Sequence, residues 1–141
     1  MFATLQLHFG AITIFLIGIA VGGGWICTML GPNVFYDKLD GGKANTQVKN
    51  LLLAGSTPIA GLLLAAGCFA LLGGLLVTGI LSLVSALGFF MNRWTLAKFK
   101  RGSTPPGARR RTKSAQIVAV GFSLMFLLAA AIAGVLAILG I

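Results

Sequence analysis

A long uncharged stretch, residues 51–91, limits the possible folds of this chain more than any other part of its sequence. As a single α-helix it would be about 61 Å long at 1.5 Å per residue, whereas the hydrocarbon core of a bilayer is about 30 Å thick. The usual helix tilt of about 20° does not absorb that difference. A turn at Gly73 and Gly74 instead divides the stretch into two helices, and each of them matches the hydrocarbon core.

The composition indicates that lipid is the solvent for much of the surface. Of the 141 residues, 57% are hydrophobic and 9% are charged, compared with about 25% charged in soluble domains. A chain of this size cannot bury so much apolar surface within itself. No Lys or Arg precedes Lys38, so the basic start of a cleaved signal peptide is missing and residues 4–30 are predicted to be a retained transmembrane helix.

The positions of the charges predict the topology. All charged side chains fall in residues 36–50 or residues 92–114. A hairpin at Gly73 and Gly74 puts both segments on one side of the membrane, in agreement with the cytoplasmic preference of Lys and Arg, whereas a single middle helix would divide the basic residues between the two sides. We therefore predict an all-α, single-domain bundle of four transmembrane helices with both termini on the outer, periplasmic or extracellular, side. Its spans are about 4–30, 51–72, 75–92 and 115–141, and its cytoplasmic loops are 31–50 and 93–114.

Two prolines are predicted to disturb the regular helical structure. Pro32 is expected to end the first span, because the residue before a proline favours an extended or turn conformation. Pro58 lies about two turns into the second span and allows two interpretations. The helix either continues through a proline kink, or breaks near Gly55 and restarts with Pro58 in its first turn.

Small residues at helical spacing predict helix–helix contacts. Glycines of the first span, and small residues of the third and fourth spans, recur every three or four positions, which lets helix backbones approach closely. The contacts of the first span are expected within the bundle or between subunits, with a lipid tail or cofactor ring in the gap as an alternative. The predicted packing residues are Gly18, Gly22, Gly23, Gly24, Ser82, Ser85, Gly88, Ala130 and Gly134.

The segment 92–114 is the strongest polar feature. It is basic throughout and contains no acid, so we expect it to fix the topology and to attract anionic headgroups at roughly 1 kcal/mol for each charge. An acidic surface on a protein partner is the alternative, and nucleic acid is not expected. The residues concerned are Arg93, Lys98, Lys100, Arg101, Arg109, Arg110, Arg111 and Lys113. Asp37 and Asp40, which lie beside lysines, are interpreted as part of a solvated turn.

The sequence offers no set of residues for chemistry. None of the predicted spans contains Asp, Glu, Lys or Arg, whereas charges inside a membrane mark proton relays and ion pathways. His8 is the only histidine, and a metal or haem would need more ligands than it and Cys68 supply. We therefore predict no catalytic residue, no metal site, no cofactor and no enzymatic activity.

A glycine-rich helix that ends in proline, followed by an aromatic residue and a leucine, reads "GGGWICTMLGPNVFYDKL" at residues 22–39. In this respect the chain resembles small four-span bacterial inner-membrane proteins of uncharacterised families. The resemblance implies a location in the bacterial inner membrane and brings no activity or functional residue with it.

Together these features predict a structural or accessory membrane protein that packs through small-residue helix faces. It would act as a subunit of a larger membrane complex or as a homo-oligomer, with lipids and other membrane subunits as its partners. The alternative is a small oligomeric channel or transporter, in which Ser82, Ser85 and Gly88 line a path.

Overall fold

The computed structural model of the chain describes residues 2–97 and 108–141, with side chains for residues 6–91 and 117–141. Within these ranges every regular element is helical, which confirms the all-α prediction. The elements are α1 (Phe2–Trp25), a π-helical turn (Ile26–Leu30), α2 (Gly31–Lys38), α3 (Gly41–Leu72), α4 (Leu76–Ala97) and α5 (Ala108–Ile138). Because α1, the π-turn and α2 follow one another without a gap, they form one long first helix.

The first helix, α3, α4 and α5 pack as a ring in which each helix packs mainly against two neighbours. Neighbouring helices run antiparallel. On one side of the ring Gly24 contacts Leu127, while Gly134, later in α5, approaches Ile17, earlier in α1. Gly55 likewise approaches Cys27, while Gly31, later in the first helix, contacts Leu51, earlier in α3. The result is an up-down-up-down arrangement, as short connections between helices favour.

Alanine and serine dominate the centre of the bundle. Three buried clusters of apolar residues follow one another along its axis, and the largest combines Leu63 and Phe89 with small residues such as Ala20 and Ala130. Most large apolar side chains instead point outward; Phe15, for example, is 67% exposed. A small-residue interior with large apolar residues on its surface is typical of helices that face lipid.

Among the residues with described side chains, three helices are long and apolar enough to cross a membrane: Gln6–Lys38, Gly41–Leu72 and Ile117–Ile138. The part of α4 with described side chains, Leu76–Met91, is a shorter apolar helix. By length and composition these helices identify the chain as an integral membrane protein.

The helix continues through Pro32, whereas the sequence predicts that it ends there. Pro32 has no N–H and would clash with the carbonyl group four residues earlier in a regular α-helix. The π-turn just before it inserts one extra residue, and the N–H of Gly31 bonds the carbonyl of Ile26, five residues back. The hydroxyl of Thr28 donates to the carbonyl of Gly24 at 2.7 Å. The wider turn thus accommodates the proline, and residues 31–38 are helix instead of loop.

At Pro58, where the sequence allows either a kink or a break, α3 continues as one helix. This excludes a break near Gly55 and leaves the interpretation of a continuous helix with an internal proline. Pro58 removes one backbone donor from the helix. The neighbouring Ser56 is buried, and its hydroxyl donates to the carbonyl of Leu53 at 3.1 Å.

Gly73 and Gly74 form the turn between α3 and α4. Gly74 adopts φ +82°, a left-handed conformation that costs glycine little. Its N–H bonds the carbonyl of Leu71 at 3.1 Å, and the N–H of Leu75 bonds that of Ala70 at 2.9 Å. These two bonds define a Schellman motif, so the turn satisfies carbonyl groups at the end of α3.

Candidate functional site

The bundle has two distinct ends. The glycine end is defined by Gly73, Gly74, the start of α1 and the end of α5. At this end the rings of Phe9 and Phe69 lie 5.9 Å apart. There the hydroxyl of Thr78 donates to the carbonyl of Ile141 at 2.7 Å. The charged end, opposite it, contains α2, the first turns of α3 and α5, and the last turns of α4. No comparable polar surface occurs at the glycine end among residues 6–91 and 117–141.

The described charges of the charged end lie around the junction of α2 and α3. Both aspartates are exposed, as a solvated turn requires, and so are Lys38 and Lys43, while Lys49 is half-buried. The Tyr36 hydroxyl donates to Asn45 Oδ1 at 2.6 Å and links the two helices. Beneath them Val48, Leu52 and Ala119 form a small buried cluster, against which Phe35 packs. The junction is therefore a packed structure, although the sequence predicts a loop.

The predicted lipid-contacting residues fall in the least described part of the chain. Arg93 lies near the end of α4, and Arg109, Arg110, Arg111 and Lys113 lie in the first turns of α5, so their backbones belong to the charged end. Their side chains, and all of Lys98, Lys100 and Arg101, lie outside the described residues. Contact with lipid or a partner thus stays a prediction.

Small residues of α1 and α5 meet inside the bundle. A Cβ on Gly24 would overlap the side chain of Leu127, and one on Gly134 would lie 3.1 Å from Ile17 Cγ2. Ala130, between these two contacts on α5, is fully buried. Gly24, Ala130 and Gly134 are thus brought together on the contact between α1 and α5, where the absence of larger side chains lets the helices approach.

The small residues of α4 face the interior of the bundle. Ser82 and Ser85 are fully buried, and a Cβ on Gly88 would overlap the ring of Phe126 from α5. This face is thus closed by the other helices of the same chain. As an oligomeric pore lining, it would have to turn outward or the bundle would have to open, and the channel alternative stays a prediction.

Three predicted packing glycines make no close contact inside the bundle. In the described part of the chain, nothing lies within 4 Å of a Cβ built on Gly18, Gly22 or Gly23, and the first two are exposed. The residues one turn before and after this pair, Phe15 and Trp25, are 67% and 50% exposed. Phe15, Gly18, Gly22 and Trp25 are spaced three or four apart and therefore share one side of the helix. We call these four residues the outer face of α1.

The backbones of α3 and α4 approach closely at two glycines that are not among the predicted packing residues, Gly67 and Gly79. The sequence does indicate that these two glycines pair, because each of them lies six positions from Gly73. In an antiparallel hairpin that turns at Gly73, such residues come opposite one another. The predicted turn at Gly73 therefore implies the contact between Gly67 and Gly79.

Chemically reactive groups are dispersed in the part of the chain with described side chains. No group of three or more His, Cys, Asp or Glu residues there could hold a metal ion. His8 and Cys68 are exposed, and Cys27 is a half-buried free thiol. In comparisons with known proteins, no family model, no curated protein and no solved structure matches the sequence.

Proposed function

We propose that the chain is an accessory or structural membrane protein that associates with other membrane helices through the outer face of α1. It would do so as a homo-oligomer or as a subunit of a larger complex. In this proposal it crosses the bilayer four times, with the charged end in the cytoplasm and the glycine end outside. The bacterial inner membrane is the proposed location, on the resemblance of residues 22–39 alone.

The four-span topology is supported by the antiparallel packing. The 22 residues of α4 correspond to about 33 Å, enough for the hydrocarbon core. Because α4 pairs with α3 and α5, which both belong to the apolar candidate spans, the same membrane depth contains all of them. The basic residues of both charged segments then share one side, and their preference for the cytoplasm assigns that side.

The observation that carries the proposal is the open position of Gly18 and Gly22. A GxxxG pair lets a second helix approach to backbone contact, and no described residue of this chain lies within 4 Å of a Cβ built on either glycine. The flanking Phe15 and Trp25 supply large apolar surfaces on either side of the gap. Aromatic residues beside a shallow gap are well suited to packing against a partner helix.

Association can be tested with matched glycine substitutions. We expect Gly18→Leu and Gly22→Leu to weaken association by about tenfold, which corresponds to about 1.4 kcal/mol. Gly61→Leu and Gly121→Leu are controls, because both glycines are helical and exposed and a Cβ on either meets nothing within 4 Å. Energy transfer between labelled copies in lipid vesicles measures self-association, and cross-linking in native membranes followed by mass spectrometry detects a different partner.

The control variants distinguish loss of a specific contact from a general effect of leucine on an exposed helix surface. If the Gly18 and Gly22 variants lose their partner while the Gly61 and Gly121 variants keep it, the outer face of α1 is the contact surface. A wild-type chain that stays monomeric and cross-links to no protein would contradict the proposed function. Equal losses in all four variants, or no loss in any of them, would contradict the assignment of the contact to the outer face of α1.

A further inference from the structure

Two buried hydroxyl groups of α4 have no hydrogen-bond partner among the described residues. Ser82 and Ser85 are both fully buried, and neither Oγ atom makes a hydrogen bond. Leaving a buried polar group unpaired costs about 1–3 kcal/mol. Within a bilayer there is no bulk water to reduce that cost.

Three other buried hydroxyl groups of this chain are satisfied by their own helix. Thr13, Thr28 and Ser123 each donate to the carbonyl group four residues earlier, at 2.8, 2.7 and 2.9 Å. This is the usual solution for Ser and Thr inside helices. Ser82 and Ser85 depart from it, because their hydroxyls lie where their own helix does not bond them.

The buried side chains at this level of the bundle are mostly apolar. On α4 they lie between Thr78, whose hydroxyl is 3.4 Å from the carbonyl of Ala133, and Phe89 in the largest apolar cluster. The interior along this part of the bundle is lined by alanine methyl groups, which neither donate nor accept hydrogen bonds; the fully buried ones are Ala20, Ala66, Ala70, Ala130 and Ala133. Any molecule that satisfies the two hydroxyls must therefore be small and must bring its own donors and acceptors.

We propose that Ser82 and Ser85 form a binding site for ordered internal water in the middle of the bundle. Side chains three residues apart on a helix are separated by about 5–6 Å at Cβ, a distance that one water molecule can bridge. Buried waters typically make about three hydrogen bonds to groups that would otherwise be unsatisfied. The site lies about 12–17 Å along the axis of α4 from the turn at Gly74, which is near the centre of a bilayer core about 30 Å thick.

The water site follows from burial and hydrogen bonding within one chain, and it does not depend on the proposed association. It also does not require a continuous path, since the side chain of Phe89 is buried on the next turn toward the charged end. The site is a closed hydration site between α4 and its neighbours, and it provides the interior of α4 with polar contacts that its alanine-rich neighbours do not supply.

An experimental structure in lipid at about 2 Å resolution tests the inference directly. We expect a density peak within hydrogen-bond distance of both Oγ atoms in the wild-type chain. The peak should be lost in the double variant Ser82→Ala/Ser85→Ala. It should persist in Ser123→Ala, the matched control, which removes a buried hydroxyl that already bonds its own helix.

Radiolytic footprinting in nanodiscs with ¹⁸O-labelled water provides a second readout that needs no crystals. Hydroxyl radicals form from bound water and modify adjacent side chains, so the wild-type chain and Ser123→Ala should incorporate label in the α4 segment around Ser82. The double variant should show at least severalfold less. A dry interior, with the hydroxyls of Ser82 and Ser85 bonded to the carbonyls of Thr78 and Leu81, or equal labelling of all three proteins, would overturn the proposal.

Discussion

Gly67 of α3 and Gly79 of α4 bring the two backbones of the hairpin into near contact. A Cβ built on Gly67 would lie 3.2 Å from the carbonyl oxygen of Gly79, and one built on Gly79 would lie 3.4 Å from that of Gly67. Leu83 and Leu71 press on the same two positions, at 2.8 and 2.7 Å from the added atoms. Each helix of the α3–α4 hairpin thus contributes one glycine to this close contact.

Gly67→Ala and Gly79→Ala should each lower the free energy of unfolding by about 1–3 kcal/mol, the usual cost of overpacking a close contact. Gly61→Ala, in the same helix as Gly67, is the control, since nothing lies within 4 Å of its added Cβ. That control should be neutral or stabilising, because alanine favours a helix over glycine by up to about 1 kcal/mol. Unfolding by denaturant in mixed micelles measures all three, and indistinguishable variants would contradict the close contact.

In the turn between α3 and α4, alanine substitution should destabilise the protein more at Gly74 than at Gly73. Gly74→Ala places a Cβ at φ +82°, where an L-residue pays roughly 1–2 kcal/mol. Gly73 has φ −78° and ψ −4°, values that alanine adopts readily. We therefore expect Gly74→Ala to reduce the unfolding temperature more than Gly73→Ala, whose added Cβ would lie 3.3 Å from the carbonyl oxygen of Phe69 and 3.4 Å from Phe9 Cβ. Gly74→Asn should lie between them, because asparagine tolerates the left-handed region, and a larger effect at Gly73 would contradict this assignment.

The proposed topology predicts opposite accessibility at the two ends of the bundle. In a background with Cys27 and Cys68 replaced by alanine, Gly73→Cys should react with impermeant maleimide from the outside. Lys43→Cys, on an exposed position of the charged end, should react only after the membrane is permeabilised. Leu139→Cys, also exposed, should match Gly73→Cys. Labelling of Gly73→Cys and Lys43→Cys from the same side would refute the four-span topology.

The charged end should bind anionic lipid. Replacement of Arg109, Arg110, Arg111 and Lys113 by glutamine removes four charges that are each worth about 1 kcal/mol near an anionic surface. We expect the stabilisation by phosphatidylglycerol relative to phosphatidylcholine nanodiscs, measured as a shift in unfolding temperature, to fall strongly in this variant. Lys38→Gln/Lys43→Gln is the control, because its charges lie among Asp37 and Asp40, and it should retain most of the shift.

Salt provides an independent check of the same contact. The shift with phosphatidylglycerol should decrease as ionic strength rises, since exposed charges are screened over about 10 Å at 0.1 M salt. A lipid preference that is unchanged in the glutamine variant and insensitive to salt would contradict an electrostatic origin.

The sequence was sufficient to predict an all-α membrane chain, because the mismatch between helix length and bilayer thickness is independent of tertiary contacts. It was not sufficient for the helix through Pro32. That helix depends on a π-turn which packs against α3, where Gly31 contacts Leu51 and Gly55 approaches Cys27. Such contacts between distant residues leave no local pattern in the sequence.

The direction in which each glycine faces was equally hard to predict. Helices that are apolar on every side lack the periodicity that distinguishes a buried face from an exposed one. Gly18 and Gly24 therefore looked equivalent in the sequence, although only Gly24 meets a neighbouring helix. Symmetry about the turn was the better guide, as the pairing of Gly67 with Gly79 shows.

The uninterrupted course of α3 has a mechanical consequence. Its first ten residues, 41–50, correspond to about 15 Å of helix before the apolar stretch begins. Lys43 at the charged end and Leu63 in the interior therefore belong to one continuous helix with no loop between them. A tilt of the charged tip of α3 is thus transmitted along this helix to the packed interior, past Pro58, where one backbone hydrogen bond is missing.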